Sequence, residues 1–147
     1  VQVGVAEFAA HLFVFYYAVL SEVSPPTALS PFAAAAITGG NPFRTTMLSW
    51  KYTAPAFVVP FAFTIGPRGL GLLLHSTPTN VLWATVSAVL ALVALAMAAS
   101  GWMRSAVSPF ERVLAAVSAV LLFIPTGASS VAGGALLAIL TARQWRK

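Results

Sequence analysis

The sequence predicts an all-α integral membrane protein, in which a broken helix is followed by two transmembrane helices and a re-entrant or kinked C-terminal helix pair. Of 147 residues, 59% are hydrophobic and only 7% are charged, whereas soluble domains carry about 25% charged residues. An apolar stretch over 8–38 is long enough for a membrane but is interrupted at its centre. A second stretch, 80–100, contains no charged residue.

Charge and cysteine content exclude several classes of function. The formal net charge is +5, but the eight lysines and arginines are scattered between apolar segments, so their placement indicates membrane orientation and no nucleic-acid partner is expected. The absence of cysteine excludes disulfides, thiolate metal sites and cysteine nucleophiles. The chain begins with no basic segment ahead of a short apolar core, and we expect no signal peptide.

The broken helix is the first predicted element. It covers 8–20 and then 27–38, and Gly39-Gly40-Asn41-Pro42 ends it. Between the halves lies the run SEVSPP (21–26), and a helix cannot pass two prolines, because each removes a donor and clashes with the preceding turn. In lipid the freed backbone groups need protein, water or an ion, so broken helices usually line a cavity.

Two predicted transmembrane helices follow. The first covers 45–65, contains Pro55 and Pro60, and is ended by Gly66-Pro67. The second covers 80–100, and both are long enough to cross ~30 Å of hydrocarbon.

The C-terminal pair is predicted over 113–124 and 130–142, with Pro125-Thr126-Gly127 between the halves. Each half is about 17 to 20 Å long and too short to span alone. A single crossing kinked at Pro125 would place four cations on each side of the membrane, whereas a re-entrant pair would place seven on one side and Arg68 on the other. The positive-inside bias favours the re-entrant pair and a cytoplasmic C-terminus.

The break in the first helix is the candidate substrate and ion site. Its residues are Ser21, Glu22, Val23, Ser24, Pro25, Pro26 and Thr27. The second half-helix would present its N-terminal amides to an anion, and carbonyls of the first would coordinate a cation. Ser24 is expected to cap the second half-helix, and Glu22 at membrane depth marks an ion or proton route. Alternatively the prolines only kink a packed helix, with serines bonded back to carbonyls one turn earlier.

These residues resemble a known family. The runs HLFVFYY (11–17), LSEVSPPTAL (20–29) and NPFRT (41–45) resemble the C-terminal part of the large membrane subunit of tripartite ATP-independent periplasmic (TRAP) transporters. The resemblance is more specific to the TAXI branch, in which small and large membrane subunits are often fused. It covers about 8–67, and residues from Thr77 onward are similar to the extra C-terminal helices of that branch.

The resemblance implies a secondary transporter of the inner membrane, with several spans and no enzymatic activity. Such a protein takes a small carboxylate from an extracytoplasmic solute-binding protein and imports it with a sodium or proton gradient. It needs no cofactor, and a sodium ion at Ser21 to Thr27 is the one metal expected. Residues 1–67 would belong to the transport region and 68–147 would form extra helices. A complete large subunit has more spans, so we expect a fragment or split subunit that needs the remaining permease.

Two other functions fit the residues less well. The first is a small non-transporting membrane protein that only binds partner helices in the bilayer. The second is an intramembrane hydrolase using Ser21 or Ser24 with His11, but the sequence lacks a recognisable nucleophile signature.

Overall fold

A computed structural model of the chain describes residues 4–65, 69–124 and 126–145. Within these ranges the regular elements are helical. The α-helices are α1 (Glu7–Leu20), α2 (Leu29–Thr38), α3 (Pro42–Thr53), α4 (Val59–Thr64), α5 (Pro78–Ser100), α6 (Pro109–Phe123) and α7 (Gly127–Trp145). Short 3-10 segments cover Ser21–Val23, Ala54–Val58 and Gly69–Leu73. The prediction of an all-helical chain is therefore confirmed for the part that the structure describes.

A tight turn joins α2 to α3. Gly39 ends α2 with φ of 69°, in the left-handed region that glycine adopts without a steric penalty. Asn41 caps α3, because its side-chain oxygen accepts a 2.9 Å hydrogen bond from the Arg44 amide, and Pro42 occupies the first helical position. The stop predicted at 39–42 is thus built from a glycine cap and a new helix start, and α2 packs against α3.

Aromatic side chains pack α1 against the proline-rich segment that follows α3. The Tyr17 hydroxyl donates a 2.7 Å hydrogen bond to the Phe57 carbonyl oxygen. One turn earlier, the ring of Phe13 meets Phe61 edge-on with centroids 5.3 Å apart. The earlier residue of α1, Phe13, contacts the later residue of the other segment, Phe61, and Tyr17 contacts Phe57. The α1 helix is therefore antiparallel to residues 57–61.

The region predicted as a helix over 45–65 is helical from Pro42 to Thr64, but it is not one uniform α-helix. The structure divides this region into α3, the 3-10 segment Ala54–Val58 and the six-residue α4. Pro55 and Pro60 stand in the first two positions of the second and third pieces, where a missing amide hydrogen costs least. Gly66 and Pro67, which were predicted to end this helix, lie outside the described residues.

The helix predicted over 80–100 is confirmed as α5. Pro78 lies at its first position and Gly101 ends it with φ of 72°, so the observed helix is only two residues longer at its start. Among the described residues, α5 alone is both long and apolar enough to cross a membrane, with a mean hydropathy of 2.3 in its most apolar part. Exposed apolar side chains on α5 include Leu82, Trp83, Val86, Val89, Leu90 and Val93.

The last three helices form an antiparallel unit with α6 between its neighbours. At one end, Arg112 on α6 bonds to the Ala98 carbonyl at the end of α5, and Glu111 meets Gln144 at the end of α7. Four alanines lie in the interior between these helices, where small side chains allow close backbone approach. The buried apolar residues are Ala91, Ala94, Met97, Val107, Ala115, Ala119, Leu122, Leu137 and Leu140.

The C-terminal pair is longer than predicted and forms a hairpin. The α6 helix starts at Pro109 because the Ser108 side chain and Glu111 form a capping box, and α7 starts at Gly127. At 1.5 Å per residue these helices are about 22 and 28 Å long. They pack side by side along their length, a geometry that differs from a single kinked crossing. Pro125, where that kink was predicted, lies outside the described residues.

The segment Gly69–Leu73 connects the two halves of the fold. A Cβ atom on Gly71 would lie 3.0 Å from the Asn80 carbonyl oxygen and 3.1 Å from the Ala84 side chain. This close approach holds the segment against the first turns of α5, while α4 packs on its other side. The candidate site at 21–27 therefore lies on the N-terminal half, which contacts α5 through α3, the proline-rich segment and Gly69–Leu73.

Candidate functional site

The candidate site lies where α1 ends and α2 has not yet begun. After the 3-10 segment Ser21–Val23, Ser24 is extended with φ of −127° and ψ of 151°. The Pro25-Pro26 peptide bond is cis, and Ala28 has a left-handed backbone with φ of 46°. Helical structure is therefore interrupted from Ser24 to Ala28, and α2 begins at Leu29 rather than at Thr27.

The Ser21 carbonyl oxygen closes this break into a compact loop. It accepts hydrogen bonds from the Thr27 hydroxyl at 2.6 Å, the Ala28 amide at 3.3 Å and the Ser24 amide at 3.4 Å. The Ser24 carbonyl also accepts from the Ala28 amide at 3.0 Å. The two sides of the break are thereby held together by one oxygen atom, which is no longer open to an ion.

The sequence predicted that Ser24 caps α2, but in the structure it does not. Its hydroxyl is buried and donates a 3.1 Å hydrogen bond back to the Leu20 carbonyl. The residue at the cap position of α2 is Ala28, which has no side-chain oxygen to offer. The two prolines separate Ser24 from the start of α2, so its hydroxyl instead satisfies a carbonyl at the end of α1. For Ser24, this is the back-bonding expected of a packed, kinked helix.

The hydroxyl groups of Ser21 and Thr27, unlike the buried hydroxyl of Ser24, can still bind a cation. The Ser21 hydroxyl donates to the Ala18 carbonyl at 2.6 Å, and the Thr27 hydroxyl donates to the Ser21 carbonyl at 2.6 Å. A hydroxyl that donates its hydrogen retains two acceptor lone pairs. Since Ser21 is half-buried and Thr27 is exposed, both oxygens can still act as ligands for a hard cation such as sodium.

The remaining residues of the break include one carboxylate, that of Glu22, and two prolines that restrict the backbone, Pro25 and Pro26. Glu22, Pro25 and Pro26 are exposed, and Val23 is half-buried. Among the residues that the structure describes, no cation forms a salt bridge with the Glu22 carboxylate. An exposed carboxylate therefore lies on the same loop as the hydroxyl oxygens of Ser21 and Thr27.

The first turn of α2 offers fewer free amides than predicted. Pro31 has no amide hydrogen, and the Phe32 amide already donates to the Ala28 carbonyl at 3.2 Å. Leu29 and Ser30 provide the amides of this turn for which no acceptor occurs among the described residues. Two amides and the helix dipole remain to attract an anionic group.

His11 lies away from this site. Its Nε2 atom is 3.8 Å from the Glu7 carboxylate, and both side chains are largely exposed near the start of α1. Ten residues of helix separate His11 from Ser21, which is about 15 Å. The histidine and serines of the hydrolase alternative are therefore not brought together within α1.

A buried polar cluster, which was not predicted from the sequence, lies at the end of the three-helix unit. Glu111 and Gln144 are almost fully buried. The Ser105 hydroxyl donates to the Gln144 side-chain oxygen at 2.6 Å, and the Gln144 side-chain nitrogen lies 3.4 Å from the Glu111 carboxylate. The sequence signal for part of this cluster was Ser108-Pro109-Phe110-Glu111, a serine followed three residues later by glutamate, which is typical of a capping box.

An interrupted helix, an apolar helix of membrane length, and a carboxylate on the same loop as two hydroxyl oxygens are features typical of helical membrane transport proteins. Residues 1–69 match the family described as tripartite ATP-independent periplasmic transporter, DctM component. This part of the chain is similar to the large permease component of TRAP transporters. No curated protein and no solved structure matches the chain.

Proposed function

We propose that the chain forms part of a secondary active transporter that imports a small carboxylate, delivered by an extracytoplasmic solute-binding protein, with a sodium or proton gradient. The observation that carries this proposal is the break from Ser21 to Ala28, which lies inside the matched residues 1–69. Broken helices at membrane depth are where transporters place ion and substrate sites.

The coupling ion is assigned to one face of the break. The hydroxyl oxygens of Ser21 and Thr27 are fixed by donation to backbone carbonyls, so their orientation is set before an ion arrives. Glu22 supplies negative charge for a sodium ion or accepts a proton directly. Oxygen ligands of this kind suit a hard cation. Ser24 is assigned a supporting role, since its hydroxyl is buried against Leu20.

The substrate carboxylate is assigned to the start of α2. The amides of Leu29 and Ser30 and the positive end of the helix dipole favour an anion, and Pro31 limits the anchor to these two donors. Thr27, one of the proposed cation ligands, precedes Leu29 by two residues in the chain. A cation and an anion bound this close would stabilise each other, which is one physical route to coupled import.

The remaining permease is assigned the other half of the site. Glu22, Pro25, Pro26 and Thr27 are exposed in this chain, and a transport site must exclude bulk solvent from at least one side. We therefore infer that further membrane segments cover the break, with the solute-binding protein docking outside. The positive-inside rule favours a cytoplasmic location for the C-terminus, because Arg104, Arg112 and Arg143 lie at one end of the three-helix unit.

The test compares two threonines that make similar hydrogen bonds. Thr27→Val removes a hydroxyl that donates to the Ser21 carbonyl, and Thr38→Val removes one that donates to the Ala34 carbonyl at the other end of α2. Each variant would be placed in the complete permease in proteoliposomes with its solute-binding protein. Uptake of a panel of radiolabelled mono- and dicarboxylates would be measured against sodium concentration and pH.

We expect Thr27→Val to lower uptake at least tenfold, equivalent to about 1.4 kcal/mol, and to raise the sodium or proton concentration needed for half-maximal rate. Thr38→Val should transport like the parent. Equal uptake by the two variants, with equal assembly, would contradict the ion assignment. Failure of every parent preparation to transport any carboxylate would favour the non-transporting, partner-binding alternative.

A further inference from the structure

Exposed positive charge is concentrated at one end of the three-helix unit. Arg104 lies in the 101–108 loop between α5 and α6, Arg112 lies in α6 just after it, and both side chains are exposed. Glu111 is the one acidic residue of the sequence between 78 and 147, and only 2% of it is exposed. Its carboxylate accepts from the Ser108 amide at 2.9 Å and from Gln144 at 3.4 Å.

The Arg112 guanidinium is held in a fixed position. Its Nε donates to the Ala98 carbonyl at 2.8 Å, and an Nη nitrogen donates to the Ala99 carbonyl at 3.4 Å. A Cβ on Gly101 would lie 3.4 Å from the other Nη nitrogen. Because these contacts already order the side chain, less conformational entropy is lost when it binds an anion.

An apolar groove begins directly at this arginine. It has a volume of about 350 Å³ and is lined by Arg112 with Ala98, Pro109, Val113 and Ala116. A cation at the rim of an apolar groove matches a ligand with a charged head and a hydrocarbon chain. Phospholipids of the bilayer have this chemistry.

Exposed aromatic side chains lie at the same end of the unit, which favours a location at the depth of lipid headgroups. The Arg104 guanidinium lies over the Trp145 ring at 4.6 Å from its centroid. Trp102 and Trp145 are 60% and 71% exposed, and tryptophan is enriched where membrane and water meet. Trp102 lies two residues beyond the C-terminal end of α5, and Trp145 lies in the last turn of α7. The 23 residues of α5 extend away from this end.

We propose that Arg112 binds the headgroup phosphate of an anionic phospholipid, with one acyl chain along the groove beside Val113 and Ala116, and that Arg104 attracts the same lipid by its charge at this end of the unit. Arg112 provides the fixed donor, and Arg104 adds a second cation from the loop. Each arginine near the headgroup adds about 1 kcal/mol of attraction for an anionic lipid, which strengthens binding roughly fivefold. This proposal does not depend on transport and stands or falls by itself.

The test measures lipid retained by the full 147-residue chain. Chain purified in a mild detergent would be supplied with equal amounts of phosphatidylglycerol and phosphatidylcholine, and bound lipid would be counted by native mass spectrometry. We expect a preference for phosphatidylglycerol that falls about fivefold in Arg104→Gln and in Arg112→Gln, and that Arg104→Lys largely retains. Inorganic phosphate at the same concentration should not compete, since it lacks the acyl chain.

Lys51 provides the matched control, because its ammonium also lies beside an aromatic ring, 5.5 Å from the centroid of Tyr52. Lys51→Gln should retain phosphatidylglycerol as the parent does. Equal retention in the arginine variants and Lys51→Gln, or equal binding of the two lipids by the parent, would overturn the proposal. Arg112 also joins α6 to α5 through its hydrogen bonds, so circular dichroism would check that Arg112→Gln still folds. If Arg112→Gln unfolds, the result for Arg104→Gln decides the test.

Discussion

The Ser118 hydroxyl donates a 2.7 Å hydrogen bond to the Gly133 carbonyl oxygen and so joins α6 to α7. Both residues are buried. A Cβ atom on Gly133 would lie 2.8 Å from Leu122 Cγ and 2.9 Å from the Ser118 carbonyl oxygen. The absence of a side chain at Gly133 is therefore what lets the two helices approach closely enough for this bond.

Adding a methyl group at this contact should destabilise the hairpin. We expect Gly133→Ala to lower the free energy of unfolding by roughly 1–3 kcal/mol, because the Ser118 backbone must move. The measurement is the unfolding of purified chain in detergent micelles, followed by circular dichroism against added denaturing detergent.

The neighbouring Gly134 is the control for that substitution. No atom lies within 4 Å of the Cβ that Gly134→Ala would add, so this variant should be unchanged or up to about 1 kcal/mol more stable, since alanine favours helix. Equal destabilisation by both alanines would show that close packing at Gly133 does not hold the hairpin.

Tyr17 should stabilise the contact between α1 and the proline-rich segment. Pro60 has no amide hydrogen for the Phe57 carbonyl three residues earlier, and the Tyr17 hydroxyl donates to that oxygen instead. Tyr17→Phe should cost about 1 kcal/mol of unfolding free energy, measured in the same detergent titration. Tyr16→Phe, which removes a neighbouring hydroxyl on the same helix, should be neutral, and a larger loss in Tyr16→Phe would contradict this account.

The sequence was sufficient where one local rule dominated. The uncharged run 80–100 predicted α5 to within two residues, and the double proline predicted the interruption near Ser24. The sequence was insufficient where several weak local preferences competed, such as apolar length against the geometry of proline. The apolar length of 45–65 indicated one helix, and the region is helical but changes to 3-10 geometry over Ala54–Val58. The left-handed turn at Ala28 places the start of α2 later than predicted, and the Ser24 hydroxyl bonds back to Leu20 instead.

The polar cluster at the end of the hairpin shows a further limit of sequence reasoning. Glu111 and Gln144 are 33 positions apart, and no local pattern pairs them; only the hairpin brings them to 3.4 Å. The capping box at Ser108 is a local signal and was readable. The residues of the break, by contrast, are consecutive, which is why the candidate site could be named while its hydrogen bonds could not.

Gln144 should be important for the stability of that hairpin. Its side chain accepts from the Ser105 hydroxyl at 2.6 Å and donates to Glu111, so Gln144→Ala would remove both hydrogen bonds and leave a cavity at a buried position. We expect a loss of roughly 1–3 kcal/mol in unfolding free energy. The adjacent, exposed Arg143→Ala should change stability by less than about 0.5 kcal/mol, and a reversed order would refute the role of Gln144.

The central claim is that the break between α1 and α2 binds the coupling ion, and Glu22 tests it most directly. In the complete permease in proteoliposomes, initial uptake of radiolabelled carboxylate would be compared for Glu22→Gln and for Glu7→Gln, an equally conservative change to the exposed acid at the start of α1. The account predicts at least tenfold slower uptake and altered sodium or pH dependence for Glu22→Gln alone, with normal assembly. Parent-like uptake and ion dependence in Glu22→Gln would contradict it.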